Sequence, residues 1–310
     1  MKAVEDCFLK VKKDYFKFLK KEKIFNKSKI AKINNLKKSY IPISFWIEKK
    51  YKEKGKTLFL GLSGGQGSGK TTTTAILKII LNKFFKRNVY ITSIDHFYKT
   101  FHERNMLSKQ VHSLLKTRGV PGTHDIDLVK NFFTNIKKNK FKKLKIPKFD
   151  KSTDDRLNYK YWSRINKKPE IVLFEGWCVG AKPQSSNLIK KPINILEAKE
   201  DKNLIWRKYV NYQLKKNYRK LFNQLNCLLY LKAKNFNLLQ KWRLKQERKL
   251  LTFSKEYKNL KIMNKKEVIN FMKTYERITE NMFKDAPKYA SIILNLNSNH
   301  QIKSVFYKKK

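Results

Sequence analysis

The chain has 310 residues, 41% of them hydrophobic, enough for a sizeable buried core. Its 73 basic and 24 acidic residues give a formal charge of +49, but only ten are arginines. The 63 lysines are scattered along the whole chain beside many asparagines, and no zinc, helix-turn-helix or RNA-recognition pattern accompanies them, so no nucleic-acid partner is expected.

Such a field still steers anionic small molecules toward a site. Cys7, Cys178 and Cys227 lie far apart and form neither a C-x-x-C pair nor a disulfide framework, which points to a reducing compartment. With no signal-type segment and no apolar run of membrane-spanning length, a cytoplasmic protein without a membrane partner is expected.

In the first 36 residues Phe8, Val11, Tyr15, Phe18 and Leu19 recur at three and four amid lysines. This predicts one or two amphipathic helices docked on the main domain, in preference to a helix lying on a membrane. Pro42 then interrupts, Ser44 is placed to cap a short helix carrying Phe45, Trp46 and Ile47, and Gly55 ends the extension. The division expected is a helical extension over residues 1–55 and one domain over 56–310.

Residues 57–62 have the length and apolar character of a buried strand, and Ala75, Ile76, Ile79 and Ile80 recur at helical spacing. Between them Gly64, Gly65, Gln66, Gly67, Ser68, Gly69, Lys70 and Thr71 fit G-x-x-x-x-G-K-[ST] at every fixed position, with Thr72 following. Glycines let backbone N–H groups converge on a phosphate, and the helix start adds positive potential. Lys70 would reach the β- and γ-phosphates of ATP and the Thr71 hydroxyl would ligate Mg²⁺.

Residues 88–94 read as a second strand ending in Asp95, His96, Phe97 and Tyr98. In open α/β sheets the crevice lies beyond the carboxyl ends of the strands, so Asp95 is placed to accept a proton from an attacking hydroxyl or to help hold Mg²⁺. Two glycines, a proline, Arg118, His124 and Asp125 fall within residues 118–125, denser chemistry than a plain turn needs. A helical pattern around Leu128, Val129, Phe132 and Phe133 follows, then a second polar segment over 146–156.

Residues 170–176 form a third strand ending in Glu175, an acid of Walker B type that organises Mg²⁺. After it come a helix over 206–222, a strand over 227–231 and a basic helical stretch from Trp242 to Arg248, a candidate lid. A helix over 268–283 and a final strand over 291–296 complete the series. This order predicts an α/β fold of P-loop NTPase type, a mostly parallel sheet flanked by helices, with an N-terminal helical extension.

Over residues 41–296 the chain resembles the P-loop kinases related to phosphoribulokinase, uridine kinase and pantothenate kinase, and within them the D-glycerate 3-kinases of plant and cyanobacterial type. The matching pieces are 64–74, 93–98, 118–125, 147–152 with Asp155 and Arg156, 175–177, 194–197, Trp206 and Arg207 with Asn211, and Trp242 and Arg243 with Gln246 and Glu247. The resemblance implies transfer of phosphate from ATP to the 3-hydroxyl of D-glycerate, the step that returns photorespiratory carbon. It implies that Asp95 is the base or Mg²⁺ organiser. His96 departs from the family, which usually has a second Asp there.

On this reading Lys70 and the glycine loop hold ATP, and Thr71 and Glu175 organise Mg²⁺. Asp95, Tyr98, Arg118, His124 and Asp125 face the acceptor, with Arg118 and His124 on the glycerate carboxylate. Arg243 or Arg248 meets transition-state charge. Two rivals remain: a kinase of another small alcohol, such as a nucleoside or pantothenate, and a nucleotide-gated regulatory or nucleic-acid-binding module.

Overall fold

The computed structural model describes residues 2–24, 28–142, 144–254 and 263–308. Alternating apolar residues build a sheet with two buried faces. In β1 (Leu58–Gly64), Leu58, Leu60 and Leu62 face one side and Phe59 the other. The same alternation divides Ile171 and Leu173 from Val172 and Phe174, and Leu229 and Leu231 from Leu228 and Tyr230.

The remaining strands are β2 (Val89–Ser93), β3 (Ile171–Gly176), β4 (Cys227–Lys232), β5 (Ile292–Leu296) and β6 (Ile302–Tyr307). Their order across the sheet is β6-β5-β4-β1-β3-β2, all parallel except β6 against β5. From β1 the chain runs out to β2 and returns through β3, then crosses to β4 and β5. The carboxyl end of β1 is therefore a topological switch point, where a ligand crevice forms.

Helices Lys2–Lys21, Ile41–Lys54, Lys70–Lys83 and Phe236–Ser254 cover the Leu58 face through Val11, Ile43, Ile47, Leu77, Ile80 and Leu239. Ile126–Lys137 and Ile205–Gln213 cover the other face, and Lys265–Tyr289 reaches both. Phe133 stacks on Phe59 at 4.9 Å and meets Phe174 edge-on at 5.2 Å. Truncating a ring so buried costs about 3–5 kcal/mol. Among the described residues no helix is long and apolar enough to cross a membrane, and all three cysteines are free thiols.

Four local expectations are refined or corrected. Pro42 does not interrupt the chain, because a π-helical segment, Leu36–Tyr40, runs directly into the helix Ile41–Lys54, and Ser44 sits buried inside that helix with its hydroxyl donating to Tyr40 O at 2.9 Å. The stretch 206–222 is helical throughout but widens into a π segment, Leu214–Tyr218, between Ile205–Gln213 and Arg219–Phe222. The helix expected over 268–283 is Lys265–Tyr289, started by a capping box between Asn264 and Glu267. Finally, β5 is not the last strand. β6 is a half-exposed edge strand with Lys303 in it, and such strands lack a continuous apolar run.

Two buried ion pairs tie down the connection between β3 and β4. Arg277 binds both oxygens of fully buried Glu197, at 2.7 and 2.6 Å, and Arg207 binds Asp201 at 2.7 Å. Arg277 also donates to the carbonyls of Leu188 and Lys191 and to Gln184 Oε1, and Arg207 to the carbonyls of Ile189, Lys190 and Asp201.

Candidate active site

β1 ends at Gly64, and six residues on Lys70 begins a helix, so the glycine loop caps that helix at the switch point. Gly67 (φ +73°) and Gly69 (φ +87°) occupy the left-handed region that glycine tolerates best. A Cβ at Gly65 would overlap Leu239, and one at Gly67 would press on Trp242. The Trp242 ring stacks on His300 at 4.0 Å, and His300 Nε2 lies 2.9 Å from Gly67 O. The cradle is thus braced from behind, leaving its N–H side for phosphate. Lys70 Nζ donates to Gly65 O at 3.1 Å, and Gln66 Oε1 and Ser68 Oγ are buried without partners.

Parallel register sets Ser93 beside Glu175 and Leu62 beside Glu175, which aligns the tips of β2, β3 and β1. Thr71 Oγ1 donates to Glu175 Oε1 at 2.9 Å. Burial pushes the Glu175 carboxyl up and the Lys70 ammonium down, and each group's charge opposes the other's shift. A hydroxyl facing one carboxylate beside a phosphate cradle fits Mg²⁺, which takes one or two carboxylates plus substrate oxygens and water. Among the described residues no group of three or more His, Cys, Asp or Glu side chains is placed to hold a metal ion.

Asp95 is 27% exposed at the end of β2. Its Oδ2 lies 2.7 Å from Lys151 Nζ, and its Oδ1 accepts from the Tyr98 hydroxyl at 3.2 Å. Burial alone would raise its pKa. The Lys151 ammonium, by charge and hydrogen bond, outweighs burial and holds the carboxyl well below the usual range. Lys151 follows the strand Phe149–Asp150, which pairs with Asp155–Arg156 in a short hairpin over the crevice.

The 118–125 loop forms the opposite wall. Tyr275 donates its hydroxyl to Arg118 O at 3.2 Å, and Trp177 donates Nε1–H to Gly119 O at 3.0 Å. Gly119 (φ +142°) lies so close to Tyr275 that a Cβ would overlap the phenol. The Arg118 guanidinium pairs with Asp154 and lies 5.5 Å over the Phe149 ring. Its charge and that of Asp95 both act on Tyr98 and Tyr275, so the basic and acidic groups border one space.

One expected role changes. Burial pushes His124 down to about 3, so its ring is neutral at physiological pH and offers no cation to a carboxylate. Asp125 caps the helix Ile126–Lys137, accepting from Leu128 N at 3.1 Å, with its other oxygen 3.3 Å from Arg156. Both oxygens are thus engaged by protein groups, one in a helix cap and one in an ion pair. The Trp242–Arg248 stretch begins packed on the loop, with Trp242 against Gly67. Arg243 pairs with Glu247 and donates to Gln246 at 3.1 Å, all on one helix, and Arg248 is exposed. Thr72 sits half-buried in the first turn after the loop.

Lys151 lies in the polar segment 146–156 that the sequence singles out, though among 63 lysines its own role carries no signal; Tyr218 and Tyr275 belong to helical patterns whose apolar spacing explains them as core. His300 lies in the turn before the unrecognised β6.

The Phosphoribulokinase / Uridine kinase family matches residues 59–207. The chain is 32% identical over 238 residues to the uncharacterized kinase mug58 of Schizosaccharomyces pombe, spanning 74% of this chain and 82% of that protein. It is 28% identical over 225 residues to the chloroplastic D-glycerate 3-kinase of Arabidopsis thaliana, spanning 67% of this chain and 47% of that protein. In three dimensions it superposes on D-glycerate 3-kinase from Cryptococcus neoformans var. grubii with TM-score 0.72 at 21% identity, covering 87% of this chain and 99% of that one, a likeness of fold. A phosphate cradle at the switch point, an acid-tipped β3 and this relationship make the chain a P-loop kinase, a member of the phosphoribulokinase/uridine kinase family that takes ATP and a small-molecule acceptor.

Proposed function

We propose that this kinase transfers the γ-phosphoryl group of ATP to the 3-hydroxyl of D-glycerate, giving 3-phosphoglycerate and ADP. The observation that carries the reading is the crevice between the Gly64–Gly69 loop and Arg118. An ionised carboxylate, Asp95, feels the charge of Lys70 in the phosphate cradle and shares Tyr98 and Tyr275 as neighbours with Arg118, a guanidinium suited to a small acid. Similarity to the Arabidopsis protein supports glycerate over other acceptors.

Lys70 and the loop N–H groups hold the β- and γ-phosphates, and Thr71 and Glu175 would hold Mg²⁺, which supplies charge neutralisation at the phosphates. Arg118 has five N–H donors, so it can bind the glycerate carboxylate while keeping Asp154. Asp95 accepts a hydrogen bond from the 3-hydroxyl and aims its oxygen at the γ-phosphorus. As the new P–O bond forms, the bond to the departing ADP oxygen breaks and the hydroxyl proton passes to the Asp95 carboxylate. Loose phosphoryl-transfer transition states ask little base strength of the acceptor's partner, so the low proton affinity of Asp95 is compatible with this role.

The test is ADP release with and without D-glycerate, followed by identification of the product. Phosphoglycerate supports the reading. Release dependent on a nucleoside or pantothenate, and not on D-glycerate, overturns it.

A further inference from the structure

The two ring nitrogens of His124 have unlike surroundings. Nδ1 lies 2.6 Å from the Tyr218 hydroxyl, whereas Nε2 is buried with no hydrogen-bond partner. Tyr218 is itself fully buried. The backbone N–H of Gly122 donates to its phenol oxygen at 2.9 Å, and among the described residues His124 Nδ1 is the only acceptor within hydrogen-bonding distance of its hydroxyl. A phenol oxygen has two lone pairs and one hydrogen. With Gly122 donating to the oxygen and no other acceptor at hand, the hydroxyl hydrogen goes to Nδ1, and a neutral imidazole must then carry its own proton on Nε2. Burial keeps the ring neutral at physiological pH. The ring cannot turn freely, because Tyr98 stacks on it at 4.3 Å, and the Tyr98 hydroxyl reaches Asp95.

We infer that Tyr218 is a positioning residue that locks His124 as the Nε2–H tautomer, and that this N–H donates to an oxygen of the acceptor alcohol beside Asp95. The inference rests on the acceptor side of the site proposed above. A buried donor without a partner is costly, and an acceptor oxygen relieves that cost. An analogue lacking the oxygen leaves the N–H stranded, so the pair selects for acceptors with an oxygen at that position. Neutrality matters too. An imidazolium here would compete with Lys151 for the Asp95 carboxylate, while the neutral donor leaves it for the hydroxyl.

The experiment is ¹⁵N NMR of the full chain with labelled histidine, His124 being assigned by loss of its signals in His124→Gln. The lock predicts an unprotonated Nδ1 and a protonated Nε2. Adding ADP with D-glycerate should shift Nε2 and leave Nδ1 nearly still. Tyr218→Phe should release the tautomer and lower kcat/KM for the acceptor about 10–100-fold with KM for ATP little changed, the usual size for a partner that orients a functional histidine.

A protonated Nδ1 in the unsubstituted protein overturns the inference. So does an Nε2 signal that ignores an acceptor supporting turnover, or a Tyr218→Phe variant whose acceptor kinetics match the parent. If D-glycerate supports no ADP release, the glycerate reading falls alone, and the same titration is run with the acceptor the screen returns.

Discussion

Lys151 Nζ and Asp95 Oδ2 lie 2.7 Å apart although 56 residues separate them in the chain. Asp95 comes from the end of a parallel strand and Lys151 from a hairpin turn, so the contact exists only once the 146–156 segment folds over the crevice. Lys151 keeps 62% of its side chain exposed, which leaves it free to exchange the carboxylate for an incoming phosphate.

Lys151→Met should move the acid limb of the kcat/KM profile to higher pH. The sign follows from the pairing. Lys151 depresses the Asp95 pKa, so the carboxylate persists into acid; without the ammonium, burial raises the pKa and Asp95 protonates earlier. An acid limb that stays in place would show that Lys151 does not set the protonation of Asp95.

Asp95→Asn keeps the shape and the Tyr98 contact but removes the proton acceptor. Turnover should fall by about 10²–10⁴, with ATP affinity nearly intact because Lys70 and the loop are untouched. Single-turnover rates and nucleotide binding by fluorescence separate the two effects. Near-normal turnover would strip Asp95 of the proton-accepting role.

Arg118→Ala should raise KM for D-glycerate about tenfold or more, as expected for losing a charge-assisted, bidentate contact, while KM for ATP changes little. Initial-rate kinetics over both substrates decide it. An unchanged glycerate KM would place the carboxylate elsewhere in the crevice.

Glu197→Ala should destabilise the fold by about 3–5 kcal/mol, since it leaves the Arg277 guanidinium buried without its carboxylate. Urea unfolding measures this. Replacing both residues by apolar side chains of similar volume should recover much of the loss, whereas a single-mutant cost under about 1 kcal/mol would mean the pair is solvated.

Those last residues show where motif reading stops. Glu197, Arg207 and Arg277 are charged, and from sequence a charge near a kinase motif suggests ligand contact. In the structure they are buried in ion pairs that fix the β3–β4 connection. Asp125 is similar: one oxygen caps a helix and the other meets Arg156. A residue type carries its chemistry into the sequence, but what satisfies that chemistry is a matter of neighbours.

The sequence by itself determined the parallel sheet, the phosphate loop and the strand-end acids Asp95 and Glu175. These depend on local rules, period-two burial, glycine conformations and the direction of strands, all of which act over a few residues. Tertiary structure alone decided that Lys151 pairs with Asp95, that His124 is buried and neutral against Tyr218, and that Trp242 braces the loop. Each of those depends on burial and on contacts between segments distant in the chain. Desolvation and charge pairing are set by three-dimensional neighbours, and no periodicity in the sequence records them.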